Sequence, residues 1–573
     1  MVAMHDLVIR DAHLIDGTGR PARPADIAID GDMITAVVAP GSGGASRRTI
    51  DAAGRLVTPV FVDVHTHYDA QITWDPWVTP SSWHGVTTAI MGNCGVGFAP
   101  ASPDRHEWLI KLMEGVEDIP GSAMTEGLTW GWETYPEYLD RVAEQPRVLD
   151  VGSLIAHGPV RAYVMGERGA ANEPATPDDI EAMSRLVRQA LDAGAFGFST
   201  SRTPIHRSKD GELVPGTTAS ADELLGIGRA LRDAGHGVFQ FAPDHASVPV
   251  KEWPWMRELA ALTQRPVSVN VNQPDSAPDT WREVLGLLEA AHADGLPIYA
   301  QIAGRAIGIL YCLHGSVHPL LFHPAYAEVA HLPMNERLVA LRDPERRRRI
   351  IEDVPNDGGL FERAVVAGFA RMWIVDDTSI DYEPSTEDSV AAIAARTGMP
   401  AMCLVLDQLT SLNGNGMLYA PFFNYSYGDL SMTYEATKHP FTRMGLSDAG
   451  AHCGAICDGG MPTFMLTHWG RDRKRGPRLA LEHLVHRQTG QTASLYGLND
   501  RGVIAEGKRA DINVIDFDRL SFGPPRMAFD LPAQGRRLVQ RAQGYVATFL
   551  AGIQTVDNDE FTGSLPGQLL RAH

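Results

Sequence analysis

The chain has 573 residues, of which 44% are hydrophobic and 21% are charged, and its formal net charge is -20. This length exceeds the usual limit of one hydrophobic core, so we expect a large domain with a smaller one, or a barrel with additions. The negative charge repels nucleic-acid phosphates and anionic lipid, which argues against both as partners. Neither a basic, apolar leader nor a run of about 18 apolar residues occurs, so we expect no secretion and no membrane span.

The cysteines and the one basic run point to an ordinary intracellular protein. Five cysteines are scattered along the chain without a CxxC pair. An odd, sparse set of this kind indicates neither a disulfide framework nor a structural zinc ribbon, and a reducing cytoplasm fits it best. The four consecutive arginines at 346–349 are flanked by acidic residues, which is typical of a solvated helix face.

Both ends of the chain have the alternating pattern of antiparallel strands. Apolar runs at 7–9, 12–15 and 26–38 are separated by Asp-Gly and Gly-Asp turns, as in β-hairpins. Runs of the same texture follow at 502–504, 510–516 and 545–552. We predict that residues 1–57 and 501–573 meet in one small β-sandwich, the second segment also supplying a C-terminal tail.

Between these segments, short apolar runs alternate with helical periods. The runs lie at 60–64, 87–91, 148–155, 196–199, 238–241, 267–270, 297–301, 372–375, 402–406 and 442–447, and the helices at 177–193, 221–234, 281–293 and 388–397. Alternation repeated about eight times favours parallel strands with helical crossovers, so residues 58–500 are predicted to form a (β/α)8 barrel of the TIM type. Residues 102–132 are predicted as a long loop over its mouth.

The first strand of the predicted barrel ends in two histidines. His65 and His67 follow the run 60–64, and the alternation of side chains along a strand turns both imidazoles to one side. Two neutral imidazoles on one face bind a divalent cation. A surface strand also carries such a pair by chance, so the neighbouring residues decide between the two readings.

Those neighbours carry a resemblance that runs along the chain in order. It rests on 57–59 and 68–71 around the histidines, on GVTTAIMGNCGVGFAP at 85–100, and on 153–161, 194–202, 446–450 and 502–514. Together they resemble the amidohydrolase superfamily, and the segment 85–100 is similar to the second-strand motif of its D-aminoacylase branch, the N-acyl-D-amino-acid deacylases. The resemblance implies a metal-dependent hydrolase acting on a small molecule.

The resemblance also implies a set of site residues. Asp448 matches the catalytic aspartate of the last strand, and Cys94 matches a cysteine that ligates metal in relatives. The alternative for Cys94 is a buried apolar cysteine. We expect a zinc ion held by His65, His67 and Asp448, with Cys94 as a further ligand. Zinc lowers the pKa of its water to about 7, and Asp448 would take the proton and return it to the departing amine.

The chain departs from its relatives at the fifth and sixth strands. Histidines are expected near 238–242 and 269–272, and neither stretch contains one. His245, three residues beyond the first stretch, is either a displaced ligand or a loop residue, and the loop is favoured. His452, four residues after Asp448, is another candidate to complete the metal shell. One ion is therefore favoured over two.

Two further residues are candidates for binding substrate. His157 follows a strand and would donate a hydrogen bond to substrate, unless it is a satisfied core histidine. Arg202 would bind a substrate carboxylate through bidentate hydrogen bonds from its guanidinium. The favoured reaction is deacylation of an N-acyl-D-amino acid or a related amide. Hydrolysis of a cyclic amide or imide, deamination, and a metal-free barrel that only binds are the alternatives, and a homo-oligomer stays open.

Overall fold

The computed structural model describes residues 4–356, 368–445 and 447–573. Leu446, which begins the predicted last-strand motif, lies outside the described residues. The strands, numbered in chain order, are β1 (Met4–Leu14), β2 (Arg23–Asp30), β3 (Met33–Val38), β4 (Ala45–Asp51), β5 (Leu56–Pro59), β6 (Phe61–Asp63), β7 (Val86–Met91), β8 (Asp150–Ser153), β9 (Ile155–Ala156), β10 (Gly197–Ser201), β11 (Val238–Ala242), β12 (Val267–Asn270), β13 (Ile298–Ile302), β14 (Ile307–Tyr311), β15 (Trp373–Ile374), β16 (Leu418–Phe423), β17 (Thr442–Met444), β18 (Ile512–Ile515), β19 (Ser521–Phe522), β20 (Arg526–Leu531), β21 (Gly535–Val539), β22 (Ala542–Gln543), β23 (Tyr545–Leu550), β24 (Ile553–Asp557) and β25 (Glu560–Phe561).

The α-helices are numbered in the same way. They are α1 (His106–Glu117), α2 (Gly121–Gly127), α3 (Tyr135–Ala143), α4 (His157–Met165), α5 (Glu167–Ala170), α6 (Pro177–Asp192), α7 (Ala221–Ala234), α8 (Trp253–Thr263), α9 (Thr280–Ala293), α10 (Pro324–Ala327), α11 (Met334–Arg342), α12 (Pro344–Glu352), α13 (Val390–Thr397), α14 (Ala401–Thr410), α15 (Ser431–Lys438), α16 (Met461–Phe464), α17 (Leu481–Gln488) and α18 (Gly490–Leu495). α6, α7, α9 and α13 match the four predicted helices to within two residues at each end.

Both ends of the chain lie in one nine-stranded sheet. β5 pairs in parallel with β1 on one side and antiparallel with β18 on the other. The N-terminal strands therefore continue directly into the C-terminal ones, and Leu56 lies opposite Ile515. Their inward side chains, such as Ile27 and Phe549, form a buried apolar cluster. The two alternating terminal segments thus meet in one sheet, whereas the predicted boundaries after residues 57 and 500 stay predictions.

A series of parallel strands lies between the two ends. β6 pairs with β7 and β7 with β8, and a second run leads from β9 through β10, β11, β12 and β13 to β17. Leu154 alone separates β8 from β9, so the two act as one interrupted strand. Beyond β6 and β17, Thr66 pairs in parallel with Ala449, and the His67 N–H donates to the Ala449 carbonyl at 2.8 Å. The two ends of the parallel series therefore meet.

An insertion separates β13 from β17. Its strands β14, β16 and β15 form an antiparallel sheet, and helices α10 to α14 pack with that sheet around their own apolar cluster. The barrel strand predicted at 372–375 is wrong, because β15 belongs to this sheet. The strand predicted at 402–406 is also wrong, because α14 covers it. A short apolar run fits a strand and a buried helix equally, and Pro400 at the N-terminus of α14 costs no hydrogen bond there.

The segment 102–132 contains helices α1 and α2 rather than one long loop. α1 buries Leu109, Leu112, Met113 and Val116 on one face, which is helical spacing. It ends at Glu117, and the next residue, Asp118, has the left-handed conformation common after a helix (φ 51°). The Asp118 carboxylate accepts hydrogen bonds from Ser316 Oγ and the Gly454 N–H. The end of α1 is thereby fixed against the loops around it.

The last residues of the chain lie along β8. The Val151 N–H donates to the Gln568 carbonyl at 3.0 Å, and the Leu570 N–H donates to the Val151 carbonyl at 2.7 Å. Within the described residues, we find no single helix with the length and apolar character of a membrane span. The bent pair α13 and α14 passes the same criterion of length and composition when taken together.

Candidate metal centre

Four side chains converge where three strands of the parallel series end. His65 and His67 follow β6, Cys94 follows β7 and Asp448 follows β17. Ligand atoms of His65, His67 and Cys94 all lie within 4.8 Å of one another. Asp448 Oδ1 lies 3.2 Å from His65 Nε2 and 3.6 Å from His67 Nε2, and Cys94 Sγ lies 3.2 Å from His65 Nε2. The structure thus brings together the four residues predicted as metal ligands.

The backbone is strained at two of these four positions. Cys94 (φ 56°) and Asp448 (φ 47°) both have the left-handed conformation that residues other than glycine seldom adopt. Such a conformation costs of order 1–3 kcal/mol and persists only where the surrounding structure imposes it. Here it turns a thiol and a carboxylate from two different strand ends toward the same histidine pair.

Each histidine has a side-chain oxygen on the side away from this group. His65 Nδ1 lies 2.8 Å from Gln301 Oε1, and His67 Nδ1 lies 3.3 Å from Glu117 Oε1. An oxygen that accepts from Nδ1, as Gln301 does at His65, leaves the lone pair of Nε2 free for a metal, whereas the His67–Glu117 contact is close without being a hydrogen bond. Both Nε2 atoms face Asp448. Two imidazole nitrogens, a thiol and a carboxylate are a donor set that suits zinc.

Glu117 is the site residue that sequence reasoning missed. Its carboxylate is buried between two imidazoles, with Oε1 at 3.3 Å from His67 Nδ1 and Oε2 at 3.7 Å from His452 Nε2. Burial raises the pKa of Glu117 well above its usual value, and the nearby Asp448 carboxylate adds to the increase. The helical spacing of the apolar residues in α1 was the signal that this acid ends a helix rather than lying in a loop.

Amide side chains lie within β11 and at the end of β12. Gln240 Oε1 accepts a hydrogen bond from the Cys94 N–H at 3.1 Å, and Gln240 Nε2 donates to Asn270 Oδ1 at 3.0 Å. Asn270 Nδ2 in turn lies 4.0 Å from Cys94 Sγ. The two stretches where histidines were expected therefore contribute neutral amides, which bond to each other and to the Cys94 loop.

His157 and Arg202 do not lie with the metal ligands. The two ring nitrogens of His157 contact Thr200 Oγ1 at 2.9 Å and Glu223 Oε1 at 3.0 Å. Arg202 Nε donates to Glu252 Oε2 at 2.8 Å. Both side chains are absent from the described lining of the cavity at the metal ligands. His157 is thus a satisfied core histidine in this structure, and internal pairing occupies Arg202.

A cavity of about 340 Å³ borders His67, Cys94 and Asp448. His206, His245 and His452 also line it. His245 lies in the loop after β11, as favoured from the sequence, and its Nε2 is 3.2 Å from Asn272 Nδ2. Burial lowers the pKa of His206 to about 3 and that of His245 to about 4, so both rings are neutral at pH 7.

Comparison with known proteins identifies the family of this chain. The model of the amidohydrolase family matches residues 48–555, which is most of the chain. The chain belongs to the amidohydrolase family. Among its relatives, the N-acyl-D-aspartate deacylase of Alcaligenes xylosoxydans xylosoxydans is 26% identical over 578 residues, covering 99% of this chain and 95% of that protein.

Two solved structures have the same fold. A D-aminoacylase studied for its binuclear metal centre, with one-metal activation and second-metal attenuation, is 24% identical, with a TM-score of 0.66 over 99% of this chain and 100% of its own. The N-acyl-D-glutamate deacylase of Bordetella bronchiseptica, in complex with zinc and a phosphonate mimic of the tetrahedral intermediate, is 22% identical, with a TM-score of 0.65 over 100% of both chains. The resemblance seen in the sequence is confirmed: the chain is a divergent member of the D-aminoacylase branch.

Proposed function

We propose that this protein is a metal-dependent hydrolase that cleaves the C–N bond of an amide in a small molecule. The observation that carries the proposal is the convergence of His65, His67, Cys94 and Asp448 at the ends of barrel strands. The relatives named as deacylases of N-acyl-D-amino acids support a substrate of that class or a related amide. The parallel strand series supports a (β/α)8 barrel as the scaffold, with a β-sandwich made by both chain ends.

The metal is proposed to be one zinc ion. The mixed nitrogen, sulfur and oxygen donor set supports zinc over magnesium or calcium, which prefer oxygen ligands alone. Gln240 and Asn270 support a single ion, because a neutral amide is a poor substitute for the imidazoles that a second ion of this kind would need. His65, His67 and Asp448 would hold the ion, with Cys94 beside them.

The residues around the site have different roles in the proposed reaction. Bound zinc would supply Lewis acidity at the amide carbonyl and a lowered pKa for water. Asp448 accepts a proton on its carboxylate and returns it to the departing amine, which requires hydrogen-bond reach of both groups. Gln301 keeps His65 in the tautomer that presents Nε2, and the Glu117 carboxyl lies beside Nδ1 of His67. The five free cysteines support a reducing cytoplasm as the location.

The test is a comparison of Asp448→Asn with the wild-type enzyme after zinc loading. Asparagine tolerates the left-handed backbone of this position, so the variant is expected to fold. We expect hydrolysis of N-acetyl-D-amino acids and related amides to fall by about a thousandfold, since a proton carrier contributes about 10²–10⁴-fold. Hydantoins and lactams in the same panel separate linear from cyclic amides.

The matched control is Asp104→Asn, a fully exposed aspartate outside the cavity lining, which should keep wild-type activity. Full activity of Asp448→Asn would contradict the assignment of Asp448. A zinc-loaded wild-type protein that hydrolyses no amide in the panel would contradict the proposed function itself.

A further inference from the structure

A loop after β10 brings an imidazole into the cavity at the metal ligands. Residues 203–214, which we call the His206 loop, fold back on themselves, and the Val214 N–H donates to the His206 carbonyl at 3.3 Å. The His206 ring lines the cavity together with His67 and Asp448. The loop therefore presents an imidazole to the space that borders the proposed metal ligands.

Packing against α1 fixes the His206 loop. The Lys209 N–H donates to the Lys111 carbonyl at 3.1 Å. Gly115 of the same helix lies so close to the loop that a Cβ there would overlap the backbone of residues 207–209. Because glycine permits this approach, backbone contact sets the distance between loop and helix. His206 is thereby held in place rather than carried on a free loop.

The hydrogen bond at Nδ1 decides which ring nitrogen of His206 carries the hydrogen. Nδ1 lies 3.1 Å from Oγ of Ser201, a fully buried residue of β10. Within the described residues, this nitrogen is the hydrogen-bond partner of the Ser201 hydroxyl, and a buried hydroxyl needs an acceptor for its one hydrogen. The hydroxyl therefore donates to Nδ1. Burial lowers the pKa of His206 to about 3, so the neutral ring has its single hydrogen on Nε2.

The other two histidines that line the cavity outside the proposed metal ligands have protein groups beside Nε2. His245 Nε2 bonds to Asn272 Nδ2 at 3.2 Å, and His452 Nε2 lies 3.7 Å from Glu117 Oε2. In the described part of the chain, no side chain bonds to Nε2 of His206. Its N–H is therefore available to a substrate.

We propose that His206 is a catalytic residue that donates a hydrogen bond from Nε2 to the carbonyl oxygen of the amide. The inference rests on the proposed amide hydrolysis and adds a residue to it. When water adds to the carbonyl carbon, the π electron pair moves to the oxygen, and the proton of the water passes to Asp448. The C–N bond then breaks with its electron pair on nitrogen, which takes that proton from Asp448. His206 keeps its hydrogen throughout and stabilises the negative charge on the oxygen.

The first test removes or keeps the donor at position 206. Glutamine places an amide N–H near the position of Nε2, whereas leucine has no donor. With the amide that the zinc-loaded wild-type protein hydrolyses fastest, we expect kcat to fall about 100-fold in His206→Leu and KM to change less than about threefold, as for loss of one oxyanion donor. His206→Gln should recover kcat to within about tenfold of wild type. His331→Leu, the same change at an exposed histidine outside the cavity lining, is the matched control.

Zinc content and the two variants together separate a donor from other roles. Elemental analysis should give the wild-type zinc content in both variants. Unchanged kcat in His206→Leu would overturn the inference. Equal losses in His206→Leu and His206→Gln would overturn it as well, because they would show that an imidazole is needed rather than an N–H donor. Loss of zinc in both variants would make His206 a metal ligand instead.

Ser201→Ala tests the tautomer while leaving the ring in place. Without the hydroxyl, the ring hydrogen is free to lie on Nδ1, so we expect kcat to fall by about tenfold, less than for loss of the donor itself. In the double variant with His206→Leu, the serine change should cause no further loss, since Ser201 acts only through His206. A further loss would contradict the assigned tautomer.

Binding of a tetrahedral mimic separates failure of the inference from failure of the proposed function. In the methylphosphonamidate analogue of N-acetyl-D-leucine, phosphorus with anionic oxygens replaces the carbonyl carbon. Calorimetry on the zinc-loaded proteins should show about 100-fold weaker binding to His206→Leu than to wild type. If the wild-type protein hydrolyses no amide, this difference still supports His206 as the donor while the proposed reaction fails. Equal binding to the two proteins, or no binding to wild type, overturns the inference.

Discussion

Two halves of the parallel strand series differ in the ligand atoms that they offer a cation. Where β6, β7 and β17 end, the chain places two imidazoles, a thiol and a carboxylate within reach of one another. In the other half, β11 carries Gln240 and β12 ends in Asn270, and the two side-chain amides hydrogen-bond to each other. The comparison teaches that one half brings together the donor atoms of a candidate metal site, whereas the other half is a neutral network that supports the Cys94 loop.

Glu117→Gln tests the half that would hold the metal. The substitution keeps the size of the side chain and replaces the carboxyl group that lies 3.3 Å from His67 Nδ1 with an amide. We expect zinc affinity to fall by about tenfold, the lower end of the effect of such partners, as measured by competition with a chelator. Glu114→Gln is the matched control, because Glu114 lies on the same helix and pairs with Lys209 instead. Equal affinities in the two variants would show that Glu117 does not act through His67.

Gln240→His combined with Asn270→His tests the other half. If the missing imidazoles are what limits the site to one ion, the double variant should bind about two zinc ions per chain in place of about one, since imidazole is a strong zinc ligand. Elemental analysis after zinc loading measures the ratio. The two single variants serve as controls, and each should stay near one. A double variant that still binds one ion would mean that geometry rather than residue type excludes the second.

Arg202→Met tests a third residue in the half that carries Gln240 and Asn270. Arg202 follows β10, the strand that pairs with β11. Glu252 would lose its guanidinium partner and keep only the indole N–H of Trp255, at 2.7 Å. We expect the free energy of unfolding to fall by about 2 kcal/mol, the contribution of a hydrogen bond to a charged group. kcat/KM for amides should change by less than about twofold, because internal pairing already occupies Arg202. A large rise in KM for an N-acyl-D-amino acid would instead restore the substrate role expected from the sequence.

The sequence predicted the parts of the molecule that depend on local pattern. His65, His67 and Asp448 were found because each ends a strand within a recognisable motif, and the absence of histidine at 238–242 and 269–272 was visible directly. The strand at 402–406 was misread, since five apolar residues fit a strand and a buried helix alike. Its true state depends on packing against the rest of the insertion, which no local window contains.

Glu117 could not be assigned from the sequence. It comes to His67 from a different segment, 50 residues along the chain, and its approach depends on how α1 ends and how Asp118 is fixed by Ser316 and Gly454. The partners of His157 and Arg202 pose the same problem. A histidine or an arginine after a strand has the same local pattern whether it faces a substrate or a buried glutamate.

The sheet that both chain ends share has a consequence for folding during synthesis on the ribosome. Leu56 in β5 cannot pair with Ile515 in β18 until more than 450 further residues have been synthesised. At about 5–20 residues per second, the edge of β5 stays without its partner for roughly 20–90 seconds. An unpaired strand edge is a template for aggregation. Nascent chains of this protein should therefore depend on chaperones until their last strands emerge, even though the finished molecule hides that edge completely.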